Sequence, residues 1–481
     1  MSNISSFEKI LDEKKKLLLN DEIRQKKQKE LGKMTAEERV KQLLDAGSFV
    51  EMYALMSKNN EAAGVLTGYG TVNSRPVYVL AQDFTVYGGA IGKVQSKKIC
   101  KLLKTALETG APVVSILDSA GVKLDEGIKA LNAYADIFKS FTDLKGFCPT
   151  ISIISGPCLG GASIISQLTD ISIMVKDIAN LTMYGPTVIS ALYDKDYSME
   201  DIAGADFVAK KGGCTYVANN EIEAFAATKN LLSMLPDSSL DLPPKNENVD
   251  LNKLLPNIEI NDAYNIINAI SDHVGFELYS NYETTIRTIL AKVGGISVAL
   301  IVNNAVALSG LISAGAMKKA SKFVRFADNF NIPVVSIVNT DGLEIPDACE
   351  QVKLIEAQAD LLLAYTEASV PKVSLIIGNA IGQAYVAMAS KTINDMIYAW
   401  PDAIISPLEP SAAIQVVWRD KISSSELPAD KVKEELIKEY IDENASALVA
   451  AKLGLVDDII EPKYTRMYII SALEMLASKN V

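Results

Sequence analysis

The sequence predicts an α/β protein built as a tandem duplication, one strand-and-helix unit used twice on either side of a linker. Three observations carry this. Pro112-Val113-Val114-Ser115-Ile116 recurs letter for letter as Pro333-Val334-Val335-Ser336-Ile337, an offset of 221. Gly156, Gly160 and Ala162 recur as Gly378, Gly382 and Ala384 at 222, and Lys97-Lys98 as Lys318-Lys319 at 221; landmarks at one nearly constant offset mark an internal repeat. Between the copies, Pro236 to Pro256 gathers Pro243, Pro244 and many polar turn residues, the composition of a linker. The expected division is a helical arm over 1–32, a first unit over 33–240, a linker over 241–256 and a second unit over 257–481.

Composition narrows the function classes. A chain of 481 residues is long for one core and comfortable for two. Its net charge of −12 argues against a nucleic-acid footprint, leaving small molecules and proteins as partners. Five scattered cysteines, Cys100, Cys148, Cys158, Cys214 and Cys349, make no C-x-x-C pair and fit a reduced, cytoplasmic chain without a Cys-built metal site. Met1 to Lys33 is charged throughout and lacks the apolar centre of a signal peptide. Ile296 to Met317 is apolar but interrupted by Asn303-Asn304, Ser309 and Gly310, so it reads as strand, loop and helix, with no membrane span.

Taken in order, Phe7 to Leu31 has helical apolar spacing among many charges, as a surface helix or an arm on a partner chain. Thr35-Ala36-Glu37-Glu38 has the spacing of a capping box that starts the next helix. Gly88 to Lys93 imitates a phosphate loop but has Tyr87 where the first glycine belongs and Val94 in place of the hydroxyl. Asp118-Ser119-Ala120-Gly121 closes the strand from Pro112, and Asn339-Thr340-Asp341-Gly342 its copy; such loops suit either a ligand or a bare turn. His273 is the one histidine and reads as a surface residue, which removes His-based triads and His metal clusters. Ala316-Met317-Lys318 imitates a biotin-attachment sequence, yet it repeats the helix start at Ser96-Lys97-Lys98.

Chemistry is expected where a buried strand, Thr150 to Ile154, breaks at Gly156-Pro157 and Gly160, Gly161 and Ala162 open a helix. The first N–H groups of a helix have no partner inside it, and two aimed at one point make an oxyanion hole. A glycine turn that only lets strand and helix pack closely fits the same letters. The second copy, Gly378 to Tyr385, repeats the choice.

These residues resemble a family, the carboxyltransferase subunits of biotin-dependent acyl-CoA carboxylases and decarboxylases, from about Lys33 to about Leu476. Lys33-Met34-Thr35-Ala36-Glu37-Glu38-Arg39, Ala81-Gln82-Asp83-Phe84-Thr85-Val86-Tyr87-Gly88-Gly89, Gly156-Pro157-Cys158-Leu159-Gly160-Gly161-Ala162, Tyr398-Ala399-Trp400-Pro401 and Gly454 to Pro462 carry the resemblance. It implies two crotonase-like β-β-α superhelical domains in tandem. It places Gly160, Gly161 and Ala162 at the thioester oxyanion site, with Gly121 and Gly156 on the CoA side. Gln383 and Ala384 then fall at the site for the biotin ureido oxygen, with Gly382, Tyr385 and Val386 beside them. In such enzymes the carboxyl group leaves biotin as CO2, and the biotin anion removes the α-proton of the acyl-CoA. The implied substrate is a coenzyme A thioester and the cofactor is biotin on a separate carrier chain. Implied partners are a biotin carboxyl carrier protein, a biotin carboxylase or membrane decarboxylase subunit, and further copies of this chain. In the family's manner each active site lies between the first half of one copy and the second half of another.

Departures from the family pattern concentrate in the second half. Asp118 to Gly127 lacks an Arg and a Gly of the family's D-S-G-G-A-R-I-Q-E-G, and Gln383 stands where the family keeps a glycine. If that position needs a glycine-only backbone angle, the strain is roughly 1–2 kcal/mol. The rival expectation is a diverged, non-catalytic CoA-binding paralogue that serves assembly or regulation. A hydratase or isomerase lacks the acid pair it would need near the turn.

Overall fold

The repeat is visible strand by strand in a computed structural model that describes residues 7–13, 22–57, 62–423 and 429–479. The chain folds as two compact units, Met1–Asp241 and Leu242–Val481. The first unit has strands β1 (Val50–Glu51), β2 (Val65–Val72), β3 (Arg75–Gln82), β4 (Val113–Ser119), β5 (Thr150–Leu159), β6 (Ile171–Val175), β7 (Asn180–Thr182) and β8 (Tyr216–Ala218). They form one sheet in the order β1-β2-β3-β4-β5-β6-β8, with β7 also on β5. β1 to β3 pair antiparallel, and the strands from β3 onward are parallel, as βαβ crossovers require. The second unit repeats the plan with β9 (Phe276–Leu278), β10 (Ile286–Val293), β11 (Ile296–Asn303), β12 (Leu311–Ile312), β13 (Val334–Thr340), β14 (Gly342–Leu343), β15 (Lys372–Ile381), β16 (Met396–Ala399), β17 (Ile404–Ser406) and β18 (Asp458–Ile459). Its main sheet runs β18-β16-β15-β13-β11-β10-β9.

The backbone repeats as closely as the letters. Residues with positive φ recur at 221: Asn73 and Ser74 with Gly294 and Gly295 at the hairpin turns, Tyr87 with Leu308, Gly121 with Gly342. Two adjacent positive-φ residues are what a tight hairpin needs to match the strand twist. β4 and β13 are buried at every position, apolar through most of their length and polar towards their carboxyl ends, as strands covered on both faces and leading to a site can be.

Around the sites lie helices α1 (Ala36–Leu43), α2 (Lys93–Thr109), α3 (Ile128–Leu144), α4 (Gly161–Leu168) and α5 (Glu221–Met234). In the second unit their counterparts include α6 (Ala314–Asn329), α7 (Gln351–Glu367) and α8 (Gly382–Ala389). The expected capping box forms: Thr35 accepts the Glu38 N–H, and Glu38 accepts the Thr35 N–H. Residues 7–13 and Glu22–Glu30 are helical, and 1–6 and 14–21 of the expected arm lie outside the described residues. Residues 242–262 hold no helix or strand, yet they are strapped down: Asn246 N–H donates to Gly295 O at 3.0 Å and Leu255 N–H to Lys463 O at 2.8 Å. The expected linker is thus bonded along its length to the second unit.

One expectation about the strand fails. β5 does not break at Gly156-Pro157; it runs on to Leu159. Its first part pairs with β6 and its last part, from Pro157, with β7, so the glycine and proline mark a change of partner instead of an end.

Candidate active site

The first turn is built by what holds Gly160. Its φ of +58° and ψ of −130° lie where L side chains are strained, and a Cβ there would meet nothing within 4 Å. Gly160 N–H donates to Thr182 O at 3.0 Å, while Gly160 O accepts the N–H and hydroxyl of Ser163 at 3.1 and 2.7 Å. α4 starts immediately after it, so the N–H groups of Gly161 and Ala162 are the helix's first and have no intrahelical partner. Beside the turn stands the loop after β4. Gly121, at φ +109°, donates its N–H to Ser119 Oγ at 3.1 Å, and a Cβ on it would come within 3.2 Å of Leu159 O. That loop is stitched to the one after β3 by Ala120 N–H to Gly88 O and Ile91 N–H to Gly121 O, at 2.8 and 2.9 Å.

The second turn repeats the left-handed glycine and the bonded glycine beside it. Gly382 has φ +61°, and Gly342, at φ +117°, donates its N–H to Thr340 Oγ1 at 3.2 Å, as Gly121 does to Ser119. Ala384 is buried, Gln383 is exposed, and Tyr385 and Val386 are half-buried. Burial pushes the Tyr385 phenol above its ordinary value, so it stays a neutral hydroxyl. The strain considered for Gln383 is absent: it sits within α8 and has no positive φ, because Gly382 alone makes the left-handed step. Its carbonyl accepts from Gln358 Nε2 at 2.9 Å.

Gly156 stands behind the turn, at the change of strand partner in β5. It is buried, and a Cβ on it would overlap the Asp118 carboxylate and crowd Lys33 Nζ. It makes room for an ion cluster. Asp118, at the end of β4, takes Lys33 Nζ at 2.7 Å and Arg39 at 2.8 Å, all three side chains essentially sealed from solvent. Arg39 also holds Glu221 at 2.6 Å and Ser155 O at 2.6 Å, tying α1, α5 and β5 together behind the turn. Burial pushes the Lys33 ammonium down, with Asp118 opposing it.

Sequence reasoning named Asp118 only as a loop residue and passed over Arg39 and Glu221 as ion partners. The only signal was an arginine on the apolar side of a short helix. His273 is exposed, as expected. Among the described residues no group of three or more His, Cys, Asp or Glu could hold a metal, and no helix is long and apolar enough to cross a membrane.

Two backbone half-sites of this shape, in tandem, meet a family model described as the carboxyl transferase domain over residues 27–481. The chain belongs to the carboxyl transferase domain family. A propionyl-CoA carboxylase carboxyltransferase subunit of Haloferax mediterranei is 36% identical to this carboxyltransferase chain, covering 94% of it and 92% of the relative. Methylmalonyl-CoA decarboxylase subunit alpha of Propionigenium modestum is 38% identical over 97% of this chain and 95% of the relative. The transcarboxylase 12S crystal structure with methylmalonyl-CoA and methylmalonic acid bound, described as a hexamer assembly, superposes with a TM-score of 0.93 at 35% identity, over 99% of this chain and 95% of that one. The tandem crotonase-like architecture read from the sequence is therefore that of the carboxyltransferase family.

Proposed function

We propose that this chain moves a carboxyl group between biotin and the α-carbon of a short acyl-CoA of the acetyl, propionyl and methylmalonyl class. The observation that carries the reading is the pair of N–H groups of Gly161 and Ala162, first in their helix, beside a Gly160 whose own N–H and C=O are both bonded. The acyl-CoA side is assigned to the first half, over 33–240, and the biotin side to the second, over 257–481.

Gly161 and Ala162 donate to the thioester oxygen as it gains charge in the enolate. N–H groups fixed before the reaction need no reorganisation, and one such donor contributes about 3 kcal/mol to a transition state. Gly121 lines the approach to that turn on the CoA side. Gln383 and Ala384 offer the same kind of donors at the second turn, a neutral set that fits a ureido oxygen, with Gly382, Tyr385 and Val386 around it. When bound, biotin supplies the carboxyl group and a basic ureido nitrogen. No side chain is then required as proton acceptor, in keeping with a chain whose one histidine is exposed.

Biotin arrives on a separate carrier chain, and a biotin carboxylase or a membrane decarboxylase subunit completes the system. Free cysteines support a reducing, cytoplasmic location. Assembly with copies of itself, as a hexamer, is supported by apolar side chains left bare at equivalent places in both halves: Leu124 is 84% exposed, Ile128 81% and Ile345 88%. Apolar surface of this kind marks an interface. The rival reading, a non-catalytic paralogue, gains nothing from a second turn whose backbone is intact.

The test is decarboxylation of methylmalonyl-CoA by the purified chain with and without free biotin. Biotin-stimulated turnover is expected; thioester binding without any turnover would leave only the non-catalytic paralogue.

A further inference from the structure

We propose that Tyr134 is a positioning residue for the first turn, its ring setting where the Gly161 and Ala162 donors stand. The inference rests on reading that turn as the thioester half-site. A Cβ built on Gly161 would lie 2.9 Å from Cδ1 and Cε1 of the Tyr134 ring, nearer than real side chains approach. Gly161 therefore rests directly on the face of the ring, and only glycine can do so.

The ring has little freedom to yield. Tyr134 lies on α3 with 5% of its surface exposed and packs on Phe138, ring centroids 5.6 Å apart. Its hydroxyl interacts with Ser119 without a well-formed hydrogen bond. The packing of the ring, which phenylalanine would keep, is the main restraint on this side chain.

The second copy holds its turn differently. α3 and α7 correspond at an offset of 224, which aligns Ala133-Tyr134-Ala135-Asp136 with Ala357-Gln358-Ala359-Asp360 and buried Ile137 and Phe141 with buried Leu361 and Tyr365. Gln358 therefore stands at the place of Tyr134, and Gly161 becomes Gln383 in the same comparison. Where the ring is lost, a hydrogen bond from Gln358 Nε2 to Gln383 O takes over. Each copy fixes the same backbone turn by its own means.

The test is a double-mutant cycle on the full chain with Tyr134→Ala, Gly161→Gln and both together, beside Tyr134→Phe. It is read in melting temperature and in kcat and KM for methylmalonyl-CoA with free biotin. Tyr134→Phe is expected to keep kcat within about twofold, since it retains the ring. Tyr134→Ala is expected to lower kcat about thirtyfold with KM changed less than about threefold, because a small displacement of donors harms the transition state more than binding. Gly161→Gln alone should melt lowest, and adding Tyr134→Ala should raise its melting temperature, since the added side chain then no longer meets the ring. A double variant no more stable than Gly161→Gln, or a Tyr134→Phe as slow as Tyr134→Ala, would overturn the inference. If the parent itself shows no thioester turnover, the reading of the half-site fails while the melting cycle still decides the pairing.

Discussion

Behind the two glycine turns the halves differ in what supports the strand that precedes them. In the first half β4 ends in Asp118, an anion neutralised by Lys33 and Arg39. In the second half β13 ends in Asn339, whose Oδ1 accepts the Asn379 N–H at 3.1 Å and whose Nδ2 donates to Ile260 O at 3.2 Å. Ile260 lies 221 residues after Arg39, so a backbone carbonyl answers the amide where a guanidinium answers the carboxylate. Both solutions leave the next strand's glycine, Gly156 or Gly378, packed against the side chain. The same turn can be buttressed by a charge network or by a neutral amide. Only the first ties the site to the segment from Lys33 to Arg39.

Making the first half resemble the second should therefore be costly. Asp118→Asn leaves Lys33 and Arg39 buried beside a neutral group, and breaking a buried ion pair from one side costs about 3–5 kcal/mol. Urea denaturation measures this, and a loss under about 1 kcal/mol would show that water or rearrangement relieves the cations. Adding Lys33→Met to Asp118→Asn is expected to recover part of the loss.

A second contrast sharpens the comparison. Lys98 donates to Val65 O at 2.8 Å with Glu51 at 3.5 Å, whereas its copy Lys319 is ringed by the carbonyls of Tyr279, Tyr282, Glu283 and Ile286, at 2.8 to 3.3 Å. Burial pushes both ammonium groups down, Lys319 to about 7 from an ordinary 10.5. Between those values the unfolded chain holds a proton that the folded chain does not, so stability rises with pH from about 7 towards 10. Lys319→Met should flatten that slope. Because it leaves several carbonyls without a donor, it should also cost about 1–3 kcal/mol at pH 7. A slope unchanged in the variant would assign it to other groups.

The smallest effect is expected at Gln383. As an exposed helical residue it gains nothing from becoming glycine, so Gln383→Gly should lose about 1 kcal/mol of stability and keep free-biotin-dependent turnover within about twofold. A marked gain in turnover would mean that its side chain does obstruct the second half-site.

Much of this was legible in the sequence because it rests on local rules. The repeat, the capping box at Thr35 and the glycine turns are all written in short spacings. What stayed hidden depends on residues far apart in the chain: Arg39 meets Asp118 and Glu221, and Tyr134 lies under Gly161, through folding alone. β5 looked broken at Gly156-Pro157 because a change of strand partner leaves the same letters as a strand end. The expected strain at Gln383 was misplaced by one residue, since only the structure shows which glycine takes the left-handed angle.

The most direct test of two half-sites compares Gly160→Ala and Gly382→Ala with the parent in free-biotin-dependent decarboxylation of methylmalonyl-CoA. Either alanine strains a left-handed turn and shifts its donors, so both should lower kcat about a hundredfold. Only Gly160→Ala should weaken use of the thioester, and only Gly382→Ala should raise the biotin concentration needed. Two variants as fast as the parent, or two with the same substrate dependence, would contradict the account.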